Sequence, residues 1–377
     1  MTSEPKGWDK PLTNVTADTV FTAQFTAEAH AYTYGAITLS SHTATCACGY
    51  TATEVHTYVN GVCACGEKEI KEPMEDAALK LSHSLNLASD ISVNLAIAKT
   101  ALAEFDMATV YVESVLENGK TLRIDPVESG NYYYFTVTGL TALNMNDRIR
   151  SVLYGTKNGQ PYYSPVDDYA IADYAYALLN TANGDRALKT LCADLLRYGA
   201  KAQIYKNYRV DHLADSKMTD EHKAYLSDME AVTFGNTNQI LTDVANAPIA
   251  WAGKTLNLES KVALKFVFNP VNYTGEISDL TLRVSYKDIN GNAKNITVET
   301  AELYSASLGY YVFTVDTLLA AELRAPLSVQ IFAGDTPVSC TMQFSADTYG
   351  NGQKGDLLTL CKALIAYSDS AKAYFTK

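Results

Sequence analysis

The chain has no apolar run of about 18 residues, so no segment of it reads as a membrane-crossing helix. Cations are scarce as well: 30 Lys and Arg against 42 Asp and Glu leave a formal net charge of −12. Nucleic-acid surfaces need clustered Lys and Arg to neutralise phosphates, so no nucleic-acid partner is expected. No G-x-S-x-G, H-E-x-x-H or glycine-rich phosphate loop occurs, which removes several common signatures of catalysis. The opening Met1-Thr2-Ser3-Glu4-Pro5-Lys6 lacks the apolar stretch of a signal peptide. The chain is therefore expected to be cytosolic or a piece cut from something longer. Tryptophan and phenylalanine are few, 2 and 11, whereas tyrosine reaches 26. Tyrosine together with Thr- and Asn-rich stretches is a common flavour of exported β-rich modules. Apolar residues make up 47 % of the 377, enough for packed cores in two domains of ordinary size.

What is present is a duplication. Leu85-Asn86-Leu87 returns as Leu256-Asn257-Leu258, and Tyr133-Tyr134-Phe135-Thr136-Val137 as Tyr311-Val312-Phe313-Thr314-Val315. Leu191-Cys192-Ala193-Asp194-Leu195, with Tyr198 and Tyr205, returns as Leu360-Cys361-Lys362-Ala363-Leu364, with Tyr367 and Tyr374. The offsets are 171, 178 and 169 residues, so order is kept while loops drift in length. Such a tandem is more often a surface or binding module than a one-site enzyme.

Each copy opens with strand-like segments. In copy one these are 92–97, 108–113, 120–124, 132–137 and 148–154, with Asn118-Gly119 as a hairpin turn. In copy two they are 262–268, 281–286, 295–299, 310–315 and 327–333, with Asn290-Gly291. The period then becomes helical. Ser164-Pro165-Val166-Asp167 predicts a helix start, and Leu188, Leu191, Cys192, Leu195, Tyr198 and Ala202 mark a second helix. Copy two keeps that second helix from Leu357 to Ala371, with the first shortened or gone. The expected class is α+β: two tandem antiparallel β-sandwich modules, each followed by a C-terminal helix or helices, behind a small Cys-rich N-terminal segment. The expected divisions are 1–27, 28–70, 71–210 (copy one), 211–232 (a linker with a short helix over 219–229) and 233–377 (copy two).

Four of the seven Cys and three of the six His fall between His30 and Cys65. The pattern is His42-x3-Cys46-x-Cys48-Gly49, then His56-x6-Cys63-x-Cys65-Gly66. About forty residues cannot build a core alone, so a staple is expected. Cys46, Cys48, Cys63 and Cys65 suit a structural Zn²⁺, with His42 or His56 substituting for one ligand. Two disulfides are the competing reading, and three pairings are open. Either way the island is structural.

Three stretches carry a family resemblance. Gly7-Trp8, Thr13-Asn14-Val15-Thr16 and Val20-Phe21-Thr22-Ala23-Gln24-Phe25 resemble the closing half of the internalin-type B-repeat of Gram-positive surface proteins. The match covers about 20 residues, with Phe25 where the family has Tyr, and implies that the chain begins mid-module. Val20 to Phe25 alternates as a half-buried strand should, and without its partner strands it should fray. Residues 56–63 are similar to a Cys/His-rich segment of gut Firmicute surface proteins, although the usual spacing there is Cys-x2-Cys-Gly. The anaerobic habitat that this resemblance implies favours metal over disulfides. Tyr163-Ser164, Tyr169-Ala170 and Tyr198-Gly199-Ala200-Lys201-Ala202-Gln203 resemble C-terminal modules of large clostridial surface proteins. The resemblances together imply a secreted or wall-associated, N-terminally truncated fragment of a Gram-positive surface protein.

Candidate sites follow from the same residues. Cys192 and Cys361 sit at equivalent places on an apolar helix stripe and read as small buried hydrophobes rather than nucleophiles. A Cys340–Cys361 pair is a weaker idea. Asp167-Asp168 could suggest glycoside hydrolysis, but neighbours at a helix start point apart. Tyr133, Phe135 and Val137 share a core face, repeated as Tyr311, Phe313 and Val315. Tyr132, Tyr134 and Tyr310 face the other way, and Tyr162 and Tyr163 could extend a platform on which sugar rings stack. Alternatively the helices cover that face. The expected function is a non-catalytic extracellular module in adhesion or glycan binding, its partner a host or dietary glycan or a surface protein. The alternative is an architectural spacer presenting other domains, and a hydrolase is remote.

Overall fold

The computed structural model describes residues 2–86, 91–258 and 262–377, which form two compact units, 1–72 and 73–377. Leu87, part of the first repeated tripeptide, lies outside the described residues. The class is α+β, with antiparallel sheets and helices at the end of each copy.

In unit 73–377 each copy is a sandwich of a four-stranded and a six-stranded sheet. Copy one's smaller sheet has the order Val127–Ser129, Tyr132–Leu140, Ile91–Ala98, Ser82–Asn86. Copy two repeats it as Glu302–Ser305, Tyr310–Val315, Ala263–Asn269, Ala250–Asn257. Equivalent side chains meet at equivalent places: Leu95 lies opposite Phe135, and Phe266 opposite Phe313. Phe135 and Phe313 are wholly buried, as the repeated aromatic pattern requires. The larger sheets centre on Phe105–Leu116 against Ile149–Lys157 and on Leu280–Lys287 against Leu327–Ala333.

The stretch from Ser164 departs from expectation. Asp167–Tyr169 is a strand pairing with Ile149–Ser151, and helix α1 starts later, at Ile171–Asn180. Ser164 caps no helix. It is buried, and its hydroxyl accepts from the Leu153 amide (2.9 Å) while donating to the Pro165 carbonyl (2.9 Å). Copy two repeats the device: the Ser339 hydroxyl accepts from Ile331 N (2.9 Å) and donates to the Cys340 carbonyl (3.2 Å). A hydroxyl that serves both groups keeps buried backbone satisfied where the ladder is interrupted. In place of α1, copy two has one 3-10 stretch, Ala346–Gly350.

Helix α2 (Arg186–Lys206) packs on the last helix, α4 (Gly355–Phe375), and the contact joins the copies. Asp185, which caps the start of α2, holds Lys377 just beyond the end of α4 at 2.6 Å, while Tyr198 meets Tyr367 at mid-helix. The helices therefore run antiparallel, and equivalent tyrosines meet where an internal two-fold would pass. The segment between the copies contributes only the short helix α3 (Asp220–Lys223), capped by the Thr219 hydroxyl accepting from His222 N at 3.2 Å. Buried Asp194 on α2 anchors this segment, accepting from Ser227 Oγ (2.6 Å), Ser227 N (3.1 Å) and Arg197 Nη2 (2.6 Å).

Unit 1–72 has three small sheets. Ala23–Glu28 pairs antiparallel with Thr2–Trp8, so the residues before it supply the partner strand. The expected alternation over 20–25 holds in part: Phe21 and Ala23 are half-buried between exposed Val20, Thr22 and Gln24, but Phe25 is 60 % exposed. A two-stranded ribbon has no second layer to bury one face. Tyr32–Gly35, Ser41–Cys46 and Thr51–Val55 form a three-stranded sheet, and Tyr58–Val59 with Val62–Cys63 a small hairpin.

Candidate functional site

The Cys/His island is built from two copies of one turn. In Cys46-Ala47-Cys48-Gly49 the Gly49 amide donates to the Cys46 carbonyl (2.9 Å), and in Cys63-Ala64-Cys65-Gly66 the Gly66 amide donates to Cys63 (2.8 Å). Gly49 and Gly66 have φ of +87° and +92°, a region glycine enters without a Cβ penalty. Each turn closes a hairpin end and aims two sulfurs the same way.

These turns do not bring the four cysteines to one point. Cys63 and Cys65 converge with His42 and His56, while Cys46 and Cys48 converge with His30. In the first group all donor atoms lie within 4.8 Å of one another. With Zn–N of about 2.0–2.1 Å and Zn–S of about 2.3 Å, a tetrahedron has N···N, N···S and S···S edges of about 3.3, 3.6 and 3.8 Å. The His42 Nδ1–His56 Nδ1 distance is 3.3 Å, Cys65 Sγ–His56 Nδ1 is 3.4 Å and Cys63 Sγ–His42 Nδ1 is 3.8 Å. Three of the six donor–donor distances therefore match the edges of a zinc-sized tetrahedron, and the other three lie within 4.8 Å.

The surroundings fit that reading. His56 Nε2 donates to the Thr38 carbonyl at 2.9 Å, which leaves the Nδ1 lone pair facing the cluster in the neutral ring. The other nitrogen of His42 faces the Glu54 carboxylate at 3.5 Å. Two imidazole nitrogens pointing at each other at 3.3 Å need a proton or a cation between them. The Cys65 backbone amide, and then the His56 ring, draw the Cys63 thiol down to about 6. All seven cysteines are free thiols here, Cys340 and Cys361 included.

The outward tyrosines are divided between two surfaces of copy one. Tyr132 and Tyr134 lie on the outer face of the four-stranded sheet, rings 6.2 Å apart and tilted by 51°. Tyr132 stays 44 % exposed and Tyr134 is half-buried, so this end of the face is open to solvent. Thr136 Oγ1 donates to Asn94 Oδ1 (2.8 Å) beside the pair, and exposed Val127 pairs across from Tyr134. Tyr162 is not on this surface: it turns to the core side and meets Phe105 edge-on at 6.0 Å. Tyr163 belongs to the other sheet, in a row the sequence did not disclose. There Arg123, Tyr111, Tyr154 and Tyr163 lie on four adjacent strands. The Arg123 guanidinium sits 3.6 Å over Tyr111, Tyr111 stacks on Tyr154 at 5.1 Å, and Tyr154 lies 6.4 Å from Tyr163. That row spends its ring faces on itself. In copy two, Tyr310 is half-buried and Val312 stands where Tyr134 would be.

No protein-family model matches this chain, and no curated protein matches it either.

The paired acids expected at a helix start are separately engaged. Asp167 binds His83 Nε2 at 2.5 Å, and Asp168 accepts from Arg148 Nε at 2.7 Å. Cys192 and Cys361 are buried, and burial pushes their thiols up to about 12 and about 11. Equivalent clefts flank the α2–α4 seam. One, of about 450 Å³, is lined by Leu85, Tyr174, Leu188 and Tyr374, with Cys192 at its wall. The other, of about 360 Å³, is lined by the counterparts Leu256, Tyr349, Leu357 and Tyr205. Among the described residues no helix is long and apolar enough to cross a membrane.

Proposed function

We propose that this chain is a non-catalytic binding module of a Gram-positive surface protein, secreted or wall-associated, that holds a host or dietary glycan on the outer face of copy one. The observation that carries this reading is the exposed Tyr132 beside half-buried Tyr134 on the outer face of the four-stranded sheet. Aromatic rings at a surface offer large apolar area at little conformational cost, and the Asn94–Thr136 pair supplies a polar rim. Copy two, with Val312 for Tyr134, has a reduced version and serves as support. The separate engagement of Asp167 and Asp168 supports a non-catalytic role.

Zn²⁺ belongs to the same proposal. Held by His42, His56, Cys63 and Cys65, it staples a segment too small to stand on apolar burial alone. Its role is to fix the hairpins. The test is a glycan and mucin array probed with the full chain and with Tyr132→Ala and Tyr134→Ala. Binding that is lost in both variants supports the module reading. A silent array favours the spacer reading, which the joining of the copies through α2 and α4 also suits.

A further inference from the structure

We infer that the N-terminal unit takes a second Zn²⁺, held by His30, Cys46 and Cys48, with its fourth coordination position open to solvent. This inference stands apart from the glycan reading and does not depend on it.

The first argument is that the two turns are the same device. Each orders a Cys-x-Cys-Gly loop with glycine at positive φ and a first-cysteine carbonyl accepting from that glycine. In the second turn both sulfurs meet imidazole nitrogens. In the first turn the sulfurs meet one: His30 Nδ1 lies 3.2 Å from Cys48 Sγ, and the three donor atoms lie within 4.8 Å of one another. Two thiolates and an imidazole are soft and borderline donors that select Zn²⁺ over hard cations.

The second argument is positional. His30 precedes the strand Tyr32–Gly35, and Tyr32 pairs with Cys46 in the neighbouring strand. The His30 ring is stacked on Tyr50 at 4.9 Å and lies 5.5 Å from Tyr32. Cys48 N approaches Cys46 Sγ at 3.5 Å, a contact that favours the thiolate. The imidazole is therefore held beside the turn by aromatic packing.

The third argument concerns what the site lacks. The four-ligand cluster encloses buried His42 and Cys63, whereas here Cys48 is exposed. Among the described residues only these three donors converge here, which leaves a vertex for a water or another small donor. The two sites should therefore differ: one closed, and one whose metal exchanges and takes an external ligand.

The experiment uses the full chain, reduced and metal-free, titrated with Co²⁺ and then Zn²⁺, with bound zinc counted by elemental analysis. The expected result is two equivalents in two separable steps. His30→Ala or Cys48→Ser should leave one equivalent, and Cys65→Ser should remove the other. Added imidazole or a small thiol should shift the Co²⁺ absorption of the site lost in Cys48→Ser and leave the other unchanged. The two-step titration of the unaltered chain does not depend on any variant folding. One equivalent that needs all four cysteines, or no metal with the four thiols oxidised to disulfides, would overturn the inference.

Discussion

Tyr198 and Tyr367 stack with ring centroids 5.8 Å apart and planes 8° from parallel. They occupy the same position in the two copies, so the duplicated helix has become its own partner. A module that would otherwise expose the stripe Leu191, Leu195 and Tyr198 buries it against the equivalent stripe of its neighbour. The core runs through this seam without a break.

Residues 73–377 should consequently unfold in one transition rather than as two sandwiches in sequence. Tyr198→Ala or Tyr367→Ala should each cost about 3–5 kcal/mol, because each removes a buried ring and leaves a cavity. The double variant should cost less than the sum, since the second ring has already lost its partner. Chemical denaturation followed by two probes placed in the two copies checks this, and two separated transitions within residues 73–377 would contradict it.

Ser164→Ala and Ser339→Ala should each destabilise by about 1–3 kcal/mol. Each change strands a buried backbone amide, Leu153 N or Ile331 N, with no acceptor. Replacement by Thr tests whether the hydroxyl or its geometry matters. A neutral alanine at either site would show that another acceptor replaces the serine.

The seam thiols give a pH dependence of known sign. Burial holds Cys192 and Cys361 protonated, at about 12 and about 11, above the ordinary thiol value that the unfolded chain would show. Their contribution is therefore complete below that ordinary value and is lost as pH rises through the folded values. The slope is about 1.4 kcal/mol per pH unit for each thiol in that window. Stability measured at neutral and alkaline pH should fall less steeply in a Cys192→Ala, Cys361→Ala variant. Both thiols should also resist alkylation in the folded chain.

Metal removal should act locally. A chelator, or acid that protonates the thiolates and imidazoles, should loosen residues 28–70 and leave the signal of 73–377 intact. Amide hydrogen exchange with and without Zn²⁺ resolves the two units. Equal protection of 28–70 in both conditions would mean that the hairpins need no metal.

Much of this was legible in the chain. The alternating segments around Phe135 and Phe313 located both sandwiches, because burial of one face leaves a period of two. The strand over Asp167–Tyr169 was hidden because Ser-Pro-Val-Asp has the chemistry of a helix start. Only the tertiary pairing with Ile149–Ser151 decides otherwise. His30 carries no ligand signature in the sequence, because its partners lie 16 and 18 residues away and no local spacing links them. The Tyr111–Tyr154–Tyr163 row needs the register of adjacent strands, which single strands do not reveal. Tyr162 and Tyr163 do not extend the Tyr132–Tyr134 surface because their strand belongs to the six-stranded sheet, a placement that only tertiary pairing decides.

The most direct measurement is a side-by-side affinity comparison on one glycan ligand, taken from the array, for the full chain, Tyr132→Ala and Tyr154→Ala. Tyr132 offers an open ring face, whereas Tyr154 is already stacked on Tyr111. The expected result is a loss of at least tenfold, about 1.4 kcal/mol, for Tyr132→Ala and near-unchanged binding for Tyr154→Ala. Unchanged affinity in Tyr132→Ala, or a loss confined to Tyr154→Ala, would contradict the assignment of the glycan surface to the four-stranded sheet.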